Sequence, residues 1–441
     1  MRLTFAAVVA ALALAGCGGN DTGGASASGV VPADAVAYVE IQTDLGSGQW
    51  GDVQRLLDRF PSQPKLVELL NDALRSKSFD YERDVRPALG DTLAIAVRGP
   101  QNDEAFTLLT QSPDRDKLRA LLDKLSDGEP YLSDSEPYAI DEVDGWTAVA
   151  LNQTVIDQLR EAVGSLAADD TFATARDALP DDVLGWGFAR GSAIDAVSTG
   201  FVGPSAAQTA GLDWVAIGAE ARDDGAALEF VTSGKSVADA KTYSSERVDQ
   251  APADALAFVS LGTDPLRAQA SALRSYGDLL GLPLDELLAD LRGEAALWVR
   301  PGAGLPEVTL VVDSANPQRL VDTLRRLLDK VPLELSFGVV GGQAVATTAG
   351  SPQAALASKG EGLASTDDFK QAAEAAGMPD ETAGFLYVNV ADAVPLLGLA
   401  VAAGVDVPKD VLDNLRPVRS VVGWVEVEDG VATSRLFVHI Q

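Results

Sequence analysis

Pro32-Ala33-Asp34-Ala35-Val36-Ala37-Tyr38-Val39 returns later in the chain as Pro252-Ala253-Asp254-Ala255-Leu256-Ala257-Phe258-Val259. The two departures, Val36 against Leu256 and Tyr38 against Phe258, each keep a large apolar side chain. Each stretch opens on a proline-containing turn and continues as an apolar run of strand length.

Outward from this pair, four further landmarks recur in the same order. Gly90-Asp91 precedes an apolar run at 93–98, as Gly293-Glu294 precedes one at 295–300. Thr107-Leu108-Leu109 and a helical pattern at 114–125 answer Thr309-Leu310-Val311 and a helical pattern at 317–331. Phe172 follows Asp170-Thr171 as Phe369 follows Asp367-Asp368, and 214–220 with Asp224-Gly225 answers 420–426 with Asp429-Gly430. A preserved order over this span reads as an internal duplication. The apolar face of the first helix is Leu118, Leu121, Leu122 and Leu125; that of the second is Leu320, Leu324, Leu327, Leu328 and Val331. Matching Leu122 to Leu328 implies one extra helical turn in the second copy, which leaves the apolar face pointing the same way.

Within each copy, strand patterns at 36–41 and 256–261 lead into Thr43-Asp44 and Thr263-Asp264, which have the composition of helix N-caps. A helical region follows in the first copy, with Leu56, Leu57, Phe60, Leu66, Val67, Leu69, Leu70 and Leu74. Two short strands, the amphipathic helix, a hairpin and another helix come next, and each copy closes on two strands joined at Asp-Gly. Adjacent strands with tight turns pair antiparallel. The expected fold class is therefore α+β with an internal duplication: two similar copies, each a mainly antiparallel sheet with helices covering one face. Residues 31–249 form the first expected repeat and 250–441 the second, divided at the polar, strand-poor stretch 235–250. The most apolar run after the N-terminus, 394–407, is shorter than the ~20 residues needed to span a bilayer and reads by default as a buried helix.

The first residues address location. Arg2 and a short apolar run at 3–15 lead into Leu14-Ala15-Gly16-Cys17, which reads as a lipobox. Residues 1–16 are expected to be a lipoprotein signal peptide, Cys17 the lipid attachment site, and 17–30 a flexible Gly/Ser linker. The expected location is the outer face of the cytoplasmic membrane, held by the two or three acyl chains of a bacterial lipoprotein. Cys17 is the only cysteine, so stability must come from packing, and a hydrophobic content of 46% provides for a large core.

A net charge of −31 excludes nucleic acid, whose phosphates require clustered Lys and Arg. Catalytic signals are sparse. The only histidine, His439, lies in a strand pattern near the end, and no G-x-S-x-G elbow offers a serine for a triad. Ser62-Gln63-Pro64-Lys65 spells S-x-x-K, but no S-D-N or K-T-G segment follows. Gly234-Lys235-Ser236 imitates the end of a phosphate loop, yet Glu229 stands where its first glycine belongs. The acidic runs 141–145 and 223–225 fit hairpins better than a calcium loop. Asp169-Asp170 and Asp181-Asp182 read as helix-end acids. Tryptophans 146, 186, 214, 298 and 424 fall in strand patterns, with Trp50 in the opening region, so sheet packing is their default role. No cofactor, metal or catalytic residue is expected.

The Pro-Ala-Asp-Ala openings, with Phe369 and the later run Gly384-Phe385-Leu386-Tyr387-Val388-Asn389-Val390-Ala391-Asp392, resemble an uncharacterised bacterial exported lipoprotein family, a domain of unknown function (DUF3352-like). The resemblance implies an exported α+β protein and brings no functional residues. The expected function is a membrane-anchored, non-catalytic binding or envelope-associated module. Its expected partners are the membrane, through the lipid anchor, and an apolar or glycan ligand or a basic envelope protein. A carboxylate-dependent glycan hydrolase and a structural scaffold stand as alternatives.

Overall fold

The computed structural model describes residues 26–76, 80–99, 106–125, 138–193, 211–235, 237, 241–264, 288–328, 334–357, 361–402 and 407–441. The expected signal peptide, Cys17, most of the expected linker, Ser236 and Val331 lie outside the described residues. The fold is α+β, with 16 strands among the described residues and antiparallel ladders. Two compact units are present, Met1–Asp223 with Leu228–Val231, and Asp224–Ala227 with Thr232–Gln441.

In the first unit the strands are β1 (Ala37–Gln42), β2 (Thr92–Val97), β3 (Phe106–Thr110), β4 (Ala139–Val143), β5 (Trp146–Ala150), β6 (Gly185–Arg190) and β7 (Leu212–Arg222). Its described helices include α1 (Gly48–Leu57), α2 (Gln63–Ser76), α3 (Arg86–Leu89), α4 (Arg115–Leu125), α5 (Gln153–Arg160) and α6 (Asp170–Asp177). The spatial order is β4-β5-β3-β2-β1-β6-β7. β8 (Gly225–Gly234) is divided between the units.

The second unit holds β9 (Ala257–Gly262), β10 (Leu291–Arg300), β11 (Glu307–Ser314), β12 (Ser336–Val340), β13 (Gln343–Thr347), β14 (Gly384–Asn389), β15 (Val418–Glu428) and β16 (Val431–Ile440). Its described helices are α7 (Pro317–Leu328), α8 (Pro352–Leu356), α9 (Asp367–Ala375), α10 (Val390–Ala402) and α11 (Lys409–Leu415). Their strand order is β12-β13-β11-β10-β9-β14-β15-β16. The opening strands sit mid-sheet: Ala37 pairs Val97 and Ala189, and Ala257 pairs Val299 and Val388.

Side chains alternate across a strand, so neighbouring residues report opposite faces. Val311 packs with Phe258, Trp298, Phe385 and Phe437 against Phe369 and Ala372 of α9. Its neighbour Val312 packs with Leu291 against Leu320, Val321 and Leu324 of α7. Helices thus cover both sheet faces, where the sequence pattern suggested one. The first unit does the same, with Leu93 and Leu108 against Leu118, Leu121 and Leu122 of α4, and Tyr38, Trp186 and Phe188 around Phe172 of α6. Full burial of such a side chain stabilises by about 1.5–3 kcal/mol.

Several local expectations change. Residues 26–30 are folded, not a free linker: Ala27 and Val31 are fully buried, and Ser26 hydrogen-bonds Glu40 at 2.8 Å. Their small side chains let this segment pack closely. Thr43 is not an N-cap, since Ser47 caps α1, and the Thr43 hydroxyl donates to the Gly90 carbonyl at 2.9 Å. Thr263 donates likewise to Gly293 at 3.1 Å. Leu118 and Leu122 are the fourth and eighth residues of α4, as Leu320 and Leu324 are of α7, so the extra turn is not in the described part of the helix. Asp144-Gly145 and Asp429-Gly430 are two-residue turns with both φ positive (48° and 83°; 50° and 79°). Between β7 and β8 the turn is Asp223-Asp224 instead, and Gly225 opens β8. A Cβ there would lie 2.2 Å from the Val438 carbonyl oxygen.

Candidate functional site: an apolar groove and a polar notch in the second unit

Among the described residues, those singled out in the sequence are spread over separate elements. Trp146, Trp186, Trp214, Trp298 and Trp424 are all buried in strands, and Trp50 is buried in α1. Asp141 pairs with Arg160 at 2.5 Å and Asp169 with Arg190 at 3.1 Å. The hydrogen bond from Arg160 holds the Asp141 carboxyl below its ordinary value. Burial pushes Asp169 up, but the Phe172 amide and Arg190 outweigh it and leave that carboxyl low as well. Asp169 is the N-cap of α6, and Asp182 accepts from Gln49 at 3.2 Å. Burial and neighbouring Asp223 raise Asp52. Arg55 lies between those two carboxyls and donates to both. Ser62 directly precedes α2, Gly234 ends β8, and Glu229 is buried in β8. Among the described residues no group of three or more His, Cys, Asp or Glu is placed to hold a metal.

The site with the shape of a receptor is built at the end of β14. Asn389 closes that strand, and its carboxamide oxygen accepts from the Asp392 amide at 3.0 Å while its nitrogen donates to the Asp392 carboxylate at 2.9 Å. This cap starts α10 with no intervening loop. Pro395 lies inside α10 and has no N–H for the Ala391 carbonyl, which loosens the first turns. α10 is not the buried helix expected of its composition: Pro395, Leu397 and Gly398 are exposed, and Ala393, Val394 and Leu396 are half-buried. Residues 403–406 of the apolar run lie outside the described residues.

Against α10 lies the shorter α11, and between them opens a groove of about 380 Å³. Ala391, Val394, Pro395 and Gly398 form one wall, Leu412 and Leu415 the other, with Arg416 and Arg419 at the lip. That volume falls in the ~300–1,000 Å³ range of small-molecule sites. Arg416 pairs with Asp413 at 3.3 Å. Arg419 sits where the β15–β16 register shifts between Val418 and Ser420, a bulge that re-aims its side chain.

Arg419 and Ala391 also line a second, polar hollow of about 20 Å³. Asn389, Ser420 and His439 form a row across β14, β15 and β16 at its floor. Tyr387 lies behind them, and Asp368 and Gln371 of α9 close one side. Burial, with Asp368 and Asp392 nearby, raises the Tyr387 phenol, so it stays protonated. Ser420 is 5% exposed, and its hydroxyl is buried without a hydrogen-bond partner. The notch therefore gathers Ser420, His439 and Asp368, three residue types of a hydrolytic triad, without the serine–histidine bond that activates a nucleophile. His439 instead stacks on Phe437, ring centres 6.3 Å apart. Sequence reading named His439 but not the notch, because bulge geometry and strand order bring Arg419, Ser420 and Asp368 to it.

No curated protein matches the chain in sequence. Crystal form I of TP0453 is 10% identical over 50% of this chain and 81% of that chain, with a TM-score of 0.26. Crystal form III is 9% identical over 74% and 93%, with a TM-score of 0.18. These likenesses are too slight to bear on fold or function. Residues 2–138, which include the Pro32–Val39 opening, match the family described as Protein of unknown function (DUF3352), so the resemblance read from that opening holds for this part of the chain.

Proposed function

We propose that this protein is a lipid-anchored, extracytoplasmic binding module without catalytic activity, and that the α10–α11 groove of its second unit holds the apolar chain of an amphiphile. The groove carries the reading: an apolar-walled hollow of about 380 Å³ whose lip bears Arg416 and Arg419 and which shares Ala391 and Arg419 with a polar notch. A hollow wet on one side and apolar within suits a ligand with both characters. The same reading treats the two units as copies of one ancestral unit. In its support, each opening strand lies between corresponding neighbours, and Thr43 and Thr263 bind the carbonyls of Gly90 and Gly293 alike.

The test is native mass spectrometry of residues 26–441 secreted from a bacterial host. A mass that co-purifies and is lost on denaturation is expected; a bare protein mass from lipid-replete cells overturns tight carriage. Anchoring is tested on the full chain with Cys17→Ser. The parent chain is expected in the membrane fraction with acyl mass, and the variant in the soluble fraction. Equal partitioning of the two would remove the anchor.

A further inference from the structure

The polar notch shares Ala391 and Arg419 with the groove. Resting on the groove reading, we propose that it takes a hydroxyl group, and that the amphiphile is a single apolar chain bearing an uncharged polyol head, either a sugar or glycerol. A hollow of about 20 Å³ admits one oxygen-sized group, since about 10–15 Å³ suffices for a water. The Ser420 hydroxyl is buried with no partner, a state that disfavours the empty site and that an incoming oxygen relieves.

Charge decides which oxygen. Asp368 and Arg419 line the same notch with opposite formal charges. A carboxylate or phosphate would meet Asp368 unfavourably, and an ammonium would meet Arg419. A hydroxyl donates to the carboxylate and accepts from the guanidinium or from Ser420, satisfying both. A net charge of −31 on the whole chain adds a long-range bias against anionic amphiphiles. The notch takes one hydroxyl of the head, and the remaining hydroxyls stay outside it in solvent. Ala391 and Arg419 border both hollows, which places the two side by side.

Calorimetric titration of residues 26–441 with octyl glucoside, monooctanoylglycerol, octanoate, octylamine and free glucose, each below its micellar concentration, tests this. The two polyol-headed amphiphiles are expected to bind at least tenfold tighter than octanoate or octylamine, and free glucose not detectably. Octyl glucoside tighter than monooctanoylglycerol names a sugar head, and the reverse order glycerol. Arg419→Gln and Asp368→Asn are each expected to cost about tenfold for the polyol heads with the melting temperature unchanged. Leu412→Trp, which fills the groove, is expected to abolish binding of every chain. If all four amphiphiles bind equally, the head selection is wrong while the groove reading stands. If none binds, the groove reading falls as well. Tighter binding of octanoate than of the polyol heads overturns the uncharged head.

Discussion

Single residues decide how a helix passes into the next strand, and Gly90, between α3 and β2, is the sharpest case. Its φ of 66° and ψ of −152° lie in a region closed to residues with a Cβ, and that atom would fall 2.4 Å from the Gln111 carbonyl oxygen. Gly90→Ala is expected to cost about 1–3 kcal/mol, read as a lowered midpoint in urea, because strain and clash add. Asp290 offers a pH readout. The carboxylate is 1% exposed and held by Arg319, whose hydrogen bonds keep it ionised below the ordinary carboxyl range. A carboxyl lowered in the folded state stabilises above its unfolded value of ~3.9, and that contribution disappears as pH falls through the folded value. Asp290→Asn should therefore be less stable than the parent chain at neutral pH, with the gap closing in acid. A gap that stays constant down to the acid limb would remove the ion pair as its cause.

At the scale of elements, helix burial follows pattern more than composition. α7 alternates Leu320, Val321 and Leu324 with Arg319, Asp322, Arg325 and Arg326, and its apolar side is buried as that period requires. α10 is apolar nearly all round, a composition that points to burial, yet Leu397 is 39% exposed. Leu320→Ala is expected to cost about 2–5 kcal/mol, whereas Leu397→Ala should stay within about 0.5 kcal/mol, both measured by thermal unfolding. The strands were legible for a related reason: the apolar runs that form them are local, and β1, β2, β9 and β10 lie where those runs placed them. The two-sided helix cover was not legible, since which face a helix meets depends on strand order. The notch escaped for the same cause, for Asn389, Ser420 and His439 become neighbours only once β14, β15 and β16 are paired.

For the whole molecule, the boundary between the units has a consequence for how the chain can be cut. The polar stretch 235–250 reads as a connector by composition, but residues 241–250 of it are built into the second unit. Tyr243 hydrogen-bonds Ser260 at 2.6 Å and pairs its backbone with Thr382. Ser245 donates to the buried Glu294 at 2.5 Å, and Arg247, itself buried, pairs with Asp313 at 2.7 Å. Val248 and Ala251 join the core of α9 and β14. Residues before it belong there too, since Ala227 packs in that core and Gly225 lies against Phe437. A fragment of residues 250–441 would leave Asp313 without Arg247 and Glu294 without Ser245. Breaking one buried pair costs about 3–5 kcal/mol, comparable with the ~5–15 kcal/mol that holds a domain folded. Residues 224–441 should accordingly unfold in one cooperative step, and residues 250–441 should give no cooperative transition by circular dichroism. Equal melting of the two fragments would show that 224–249 contributes nothing to the second unit and is the connector its composition suggests.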